Sequence, residues 1–159
     1  YDRSIEYFKK LIEMDPNYVR THFYLSKVYR EKSMFLEALE ETEKGVVLDG
    51  GKVDDQHRAA LVAIVDASKR SGVKGAWQTT LEFVNEDIRK GDPPNPVDLA
   101  EIYARLGDRD KAFEWLEKVF ETGDVGDLLL KVNPGWDNLR DDPRFADLLK
   151  RAGFPQLDL

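Results

Sequence analysis

Apolar residues recur every three or four positions along most of this chain, the spacing that gathers them on one face of a helix. Ile5, Phe8, Leu11 and Ile12 form one such stripe and predict a helix over residues 2–15. Asp15-Pro16 ends it, because the residue before proline avoids the α region. Asn17 is the expected cap of a second helix over 18–31, which carries Phe23, Leu25, Val28 and Tyr29. A third, over 34–48, holds Phe35, Ala38, Leu39, Val46, Val47 and Leu48 and stops at Asp49-Gly50-Gly51. Asp54-Asp55 opens a longer pair, over 55–71 (Leu61, Ile64, Val65) and 74–90 (Trp77, Leu81, Val84, Ile88), with Gly72 near the junction. The run from Gly91 to Pro96 is the one proline-rich break, and helices over 96–106 and 109–122 follow it. After Gly123 the periodicity fails. Leu128-Leu129-Leu130 reads equally as a short helix or an extended segment, and Asn133-Pro134-Gly135-Trp136 reads as a turn. Asp142 or Asp141 is expected to cap a last helix over 143–152, with Phe145, Leu148 and Leu149 on its apolar face.

The stripes also repeat. Ser4-Ile5-x-x-Phe8-x-x-Leu11-Ile12-x-x-Asp15-Pro16 returns as Ala38-Leu39-x-x-Thr42-x-x-Gly45-Val46-x-x-Asp49-Gly50, each position 34 residues on. A helix pair of that period cannot bury its apolar face alone and has to stack on its neighbours. Leu99-Ala100-x-x-Tyr103-x-x-x-Gly107-Asp108-x-x-x-Ala112-Phe113-x-x-Leu116 gives the same apolar, small, Tyr, Gly, Ala, large order most clearly. On these residues the chain resembles tetratricopeptide-repeat proteins over about residues 1–122. The resemblance implies an all-α fold, a right-handed α–α superhelix (solenoid) with a C-terminal capping helix. The expected organisation is a half-repeat over 1–16, repeats over 17–50, 51–92 and 93–124, and a capping tail over 125–159. The pattern departs from the family where Ser26, Val65 and Ala100 replace a first-helix glycine, and in the stretched third unit.

The tail adds a second resemblance. Leu130-x-Val132-Asn133-Pro134-x-Trp136-Asp137-x-Leu139-Arg140-x-Asp142-Pro143-Arg144-Phe145-x-x-Leu148-Leu149 is similar to the ending of bacterial multidomain regulatory proteins whose repeat array follows a cyclase, kinase or winged-helix domain. That resemblance implies a docking or sensory module whose chemistry lies upstream. The chain opens on Tyr1 midway through a repeat and so reads as a piece of a longer, cytoplasmic protein.

Composition narrows the function classes. A net charge of −7 argues against nucleic acid as a partner through this domain, since phosphates would be repelled. No apolar run reaches the ~20 residues that a membrane-spanning helix needs, and the absence of cysteine removes thiolate metal sites. The two histidines, His22 and His57, lie in different repeats without metal-pair spacing; His22 reads as a packing residue and His57 as solvent-facing. Gly123-Asp124-Val125-Gly126-Asp127 lacks the Lys-Ser/Thr of a phosphate loop, and the acidic run Asp137–Asp142 lacks the spacing of a calcium loop. Trp77 and Trp136 read as core, and Trp115 as partly exposed. Neither enzyme, nor cofactor, nor metal is expected.

A binding role is more concrete. In the family the first helix of each unit lines a concave groove, which implies Arg20, Phe23, Lys27 and Arg30 on one inner helix, Asp66 and Lys69 on the next, and Arg105 on the last. The expected partner is a protein or peptide segment bearing acidic groups; the competing reading is a solvated helix face. The carboxylate clamp of chaperone-binding relatives needs asparagine where Lys27 and Asp66 stand, so chaperone tails are not expected. The alternative function is self-association, a homodimer formed through the unpaired first helix.

Overall fold

The computed structural model describes residues 1–122, 130, 131 and 133–154. Among them the chain is all-α, with no strand. The helices are α1 (Asp2–Met14), α2 (Val19–Glu31), α3 (Phe35–Leu48), α4 (Asp55–Lys90), α5 (Pro96–Leu106), α6 (Arg109–Thr122) and α7 (Pro143–Arg151), with a 3₁₀ turn at Pro134–Trp136. The predicted glycine-bearing segment after Thr122 and most of the Leu128–Leu130 run lie outside the described residues. The chain forms two compact units, Tyr1–Thr79 and Thr80–Leu159.

Local chemistry explains most boundaries. The long α4 is two helical runs joined where Ser71 (φ −132°) and Gly72 (φ 65°, ψ −164°) leave helical geometry. Asn95 accepts from the Val97 amide at 2.9 Å and Pro96 fills the first turn, where its missing N–H costs nothing. Asp142 does the same for α7, accepting from the Arg144 amide at 3.0 Å ahead of Pro143. The expected Asn17 cap is corrected: α2 starts at Val19 after Tyr18, with no side-chain cap. Asn17 instead donates its amide to Asp15 Oδ1 at 3.1 Å, so Asp15 organises that turn.

Two hairpins close in the same way. The Gly107 amide donates to Ala104 O and the Asp108 amide to Tyr103 O, both at 3.0 Å, with Gly107 left-handed at φ 84°. At the end of α2 the Ser33 and Met34 amides reach Arg30 O and Tyr29 O, both at 2.9 Å, and Ser33 sits at φ 61°. Serine occupies a left-handed position that glycine fills without strain.

In the first unit Leu25, Tyr29 and Ala38 are buried among Ile5, Phe8, Ile12 and Met34. A second cluster joins Phe35, Val65 and Ala76, with Trp77 edge-on to Phe35 at 6.5 Å. Ser26 is buried and donates to Ala38 O at 2.8 Å while pairing with Thr42 Oγ1 at 2.7 Å. In the second unit Ala100, Ala104 and Ala112 let α5 and α6 approach closely around Leu116 and Val119. Trp136, Leu139, Phe145 and Leu148 bury against that pair. Each such side chain contributes on the order of 2 kcal/mol.

The contact between α7 and α6 is periodic. Arg144 pairs with Asp110 at 2.8 Å and lies over Phe113; one heptad on, Arg151 grips Glu117 at 2.7 Å and lies over Phe120. Seven residues make two helical turns, so the two layers stack along the same face.

Candidate partner-binding face

The α2 helix divides by periodicity into two faces. His22, Leu25, Ser26 and Tyr29 are buried. The other face, at i, i+3, i+7 and i+10, holds Arg20, Phe23, Lys27 and Arg30, with Glu31 one turn beyond Lys27 at the helix end. Arg20 and Arg30 are exposed, Lys27 is half-buried, and Phe23 keeps 37% of its surface. Tyr24 extends the aromatic character sideways by stacking on Phe8 of α1, ring centroids 6.0 Å apart.

The rest of the predicted set is placed differently. Asp66 and Lys69 sit together on α4, both exposed, with their charged ends 3.5 Å apart. They satisfy each other loosely and add no net charge. Arg105 belongs to the second unit and is half-buried, held to Glu101 through Nε at 3.1 Å and Nη2 at 3.0 Å. The adjoining surface of α5 is taken by the chain's own tail. Asn138 donates its amide to Ala104 O, Asn133 reaches Glu101 at 3.4 Å, and a Cβ on Gly135 would stand 2.9 Å from Glu101 Cγ.

Sequence periodicity missed a cleft of about 670 Å³ in the first unit, walled by Ile12, Val47, Leu48 and Val53. Its only signal was the pair of valines flanking the Gly50-Gly51 turn. Its basic residues are engaged by acids: Lys44 lies 2.7 Å from Glu41, whose hydrogen bond raises the ammonium above its ordinary range, and Arg58 lies 3.0 Å from Glu43. The cleft therefore offers shape more than charge.

At its floor His22 bridges three segments. Nδ1 is 2.7 Å from Glu41 Oε2 of α3, and Nε2 is 2.9 Å from Pro16 O in the α1–α2 turn. Both ring nitrogens thus meet an oxygen of another segment. His22 is 4% exposed and Glu41 8%, so the pair is a buried link between α2 and α3. His57 is exposed, as read from the sequence. Trp77 and Trp136 are buried, and Trp115 is half-buried under Lys118 Nζ at 3.6 Å. Among the described residues no group of three or more acidic or histidine side chains is placed to hold a metal ion. None of the described helices is long and apolar enough to cross a membrane.

No curated protein matches the chain, and no solved structure does. Residues 1–18, spanning α1 and its following turn, and residues 97–122, spanning the α5–α6 hairpin, match the family model described as Tetratricopeptide repeat.

Proposed function

We propose that the chain is a protein–protein docking module whose α2 face receives an acidic segment of a partner. Tetratricopeptide repeats generally mediate protein–protein interactions. The observation that carries the reading is the Arg20–Phe23–Lys27–Arg30 stripe, three cations and an aromatic ring against one acid at the helix end, on a chain of net charge −7. A local basic stripe against that background steers acidic partners and sets register, while the aromatic ring supplies contact area. By the similarity of its tail, the module serves a longer bacterial regulatory protein in the cytoplasm.

Charge reversal at two positions tests this. Lys27→Glu with Arg30→Glu is expected to weaken capture of fluorescein-labelled acidic peptides at least tenfold and to steepen no salt dependence. The melting temperature is expected to stay within a few degrees, because neither residue is buried. Unchanged capture sinks the assignment.

One observation favours a second reading, self-association. No residue of α1 is buried, and Tyr7 and Met14 are 61% and 81% exposed beside the half-buried Ile5–Ile12 stripe. A second copy of the chain covering that helix predicts a sedimentation mass that rises with concentration and falls back with Met14→Lys.

A further inference from the structure

Helix α1 repeats a face that the second unit keeps covered. Arg3, Ser4, Tyr7 and Leu11 return 108 residues on as Lys111, Ala112, Trp115 and Val119 of α6. Both stretches match the same family model. On α6 the face is closed by α5: Ala112 and Val119 are 0% exposed, in one cluster with Ala100 and Ala104. On α1 it is open. None of its residues is buried, Ser4 and Leu11 are half-buried, and Tyr7 is 61% exposed. The neighbouring stripe of Ile5, Phe8 and Ile12 already packs on the cluster of Leu25, Tyr29 and Ala38, so this second face is the one left to solvent.

The α5–α6 pair shows what such a face accepts. Ala100 and Ala112, both 0% exposed, bring the two backbones close. Leu99 is buried beside them, and Lys111 Nζ lies 5.1 Å from the centre of the Tyr103 ring. On α1, Ser4 is nearly as small as Ala112, and the exposed Arg3 stands where Lys111 does. The Arg3 side chain has no ion pair or ring contact among the described residues.

Going beyond the docking and self-association readings, we infer that the Ser4–Tyr7–Leu11 face is a seat for an amphipathic helix of a partner chain. That helix carries Leu-Ala-x-x-Tyr, as α5 does, and sets its tyrosine ring under Arg3. Residues at i, i+1 and i+4 share one side of a helix, whereas an extended segment turns the first two to opposite faces. The guanidinium over the ring adds a cation–π contact. A second copy of α1 does not fit this pattern, because it brings Arg3 to the place where α5 buries Leu99.

The probe is a fluorescein-labelled peptide with the sequence of residues 95–107, titrated by anisotropy against the full chain and its variants. The chain's own α5 already fills the seat on α6, so the open seat is α1. Ser4→Leu in the chain, or Ala100→Leu in the probe, holds the backbones apart and is expected to weaken binding by about tenfold or more. Arg3→Gln is expected to weaken it by about threefold, and to cost nothing further once the probe carries Tyr103→Leu. Glu13→Gln, off that face of α1, is expected to leave the affinity unchanged. No binding by the unaltered chain overturns the seat, as does full affinity for the Ala100→Leu probe. Should Ser4→Leu fail to fold, that altered probe still decides, since it leaves the chain untouched. Additive losses from Arg3→Gln and Tyr103→Leu overturn the place of the ring under Arg3. A sedimentation mass that rises with concentration and falls back with Met14→Lys, without probe binding, puts a second copy on α1 and overturns the stated occupant. Capture of acidic peptides by α2 is read separately through Lys27→Glu with Arg30→Glu, so either reading can fail alone.

Discussion

Replacing His22 with leucine tests whether the buried pair beneath the cleft holds the first unit together. His22 joins Glu41 at 2.7 Å and Pro16 O at 2.9 Å, and the second Glu41 oxygen joins Lys44 at 2.7 Å. Removing one partner of a buried pair costs about 3–5 kcal/mol when the remaining charge is left alone. Here Lys44 still faces Glu41, and Pro16 is exposed, so water replaces the lost donor there. His22→Leu should therefore cost about 2–3 kcal/mol. Glu41→Leu leaves one imidazole nitrogen without a partner, for about 1–2 kcal/mol. If the residues act as a unit, the double variant places two leucines in one apolar volume. It should then cost no more than about 1.5 kcal/mol, a coupling of roughly 2–3 kcal/mol. Urea titration followed by the amide NMR signals of α2 and α3 reads all four proteins. A double variant whose loss equals the sum of the singles refutes the argument, because the two side chains would then act separately.

Three further outcomes are expected. The side-chain hydrogen bond from Arg144, helped by its amide and by Arg109, lowers the Asp142 carboxyl from 3.8 to about 2. A depressed folded value makes its contribution full above the unfolded value and lost as pH falls toward 2. Asp142→Asn keeps a capping oxygen, so its second unit should lose less stability between pH 4 and 2, read by Trp136 fluorescence; equal acid slopes count against the pair. Ser33→Gly should stabilise the first unit by about 0.5–1 kcal/mol by relieving the left-handed serine, and a lowered urea midpoint argues the reverse. Arg151→Met should cost about 0.5–1 kcal/mol through the bidentate Glu117 pair and the Phe120 contact. Added to Glu117→Gln it should cost nothing more, and full additivity denies the link between α7 and α6.

What the sequence revealed and concealed follows from the range of each interaction. The helices read over 96–106 and 109–122 have the limits of α5 and α6, because their signals are local: Asn95-Pro96 at one end and Gly107 between. The α2 start was misplaced by one residue because Asp15, upstream, captures the Asn17 amide. Glu41 is one of several acids on α3 and its partner lies 19 residues away, beyond any helical period. Arg105 has the periodicity of a groove residue, yet the segment beside it comes from the aperiodic tail, where no pattern predicts a contact. The stripe on α2 was legible because exposure follows from the same periodicity that buries the opposite face.

The two hairpins share one register and differ in what they ask of an occupant. Leu25, Tyr29, Ser33 and Ala38 correspond to Leu99, Tyr103, Gly107 and Ala112, each 74 residues on, which sets Lys27 against Glu101. In the second unit an acid at this position is met by donors of the chain itself: Arg105 and the Asn133 side-chain amide reach Glu101, and Gly135 brings its bare backbone alongside. The absence of a Cβ is what allows that approach. In the first unit the corresponding residue is a lysine, so the chemistry reverses. Donors such as Asn133 and Asn138 are wrong for Lys27; carboxylates or carbonyls are right. On the docking reading proposed above, the α2 face selects for a different kind of chain, and the selection lies in one charge at one register position.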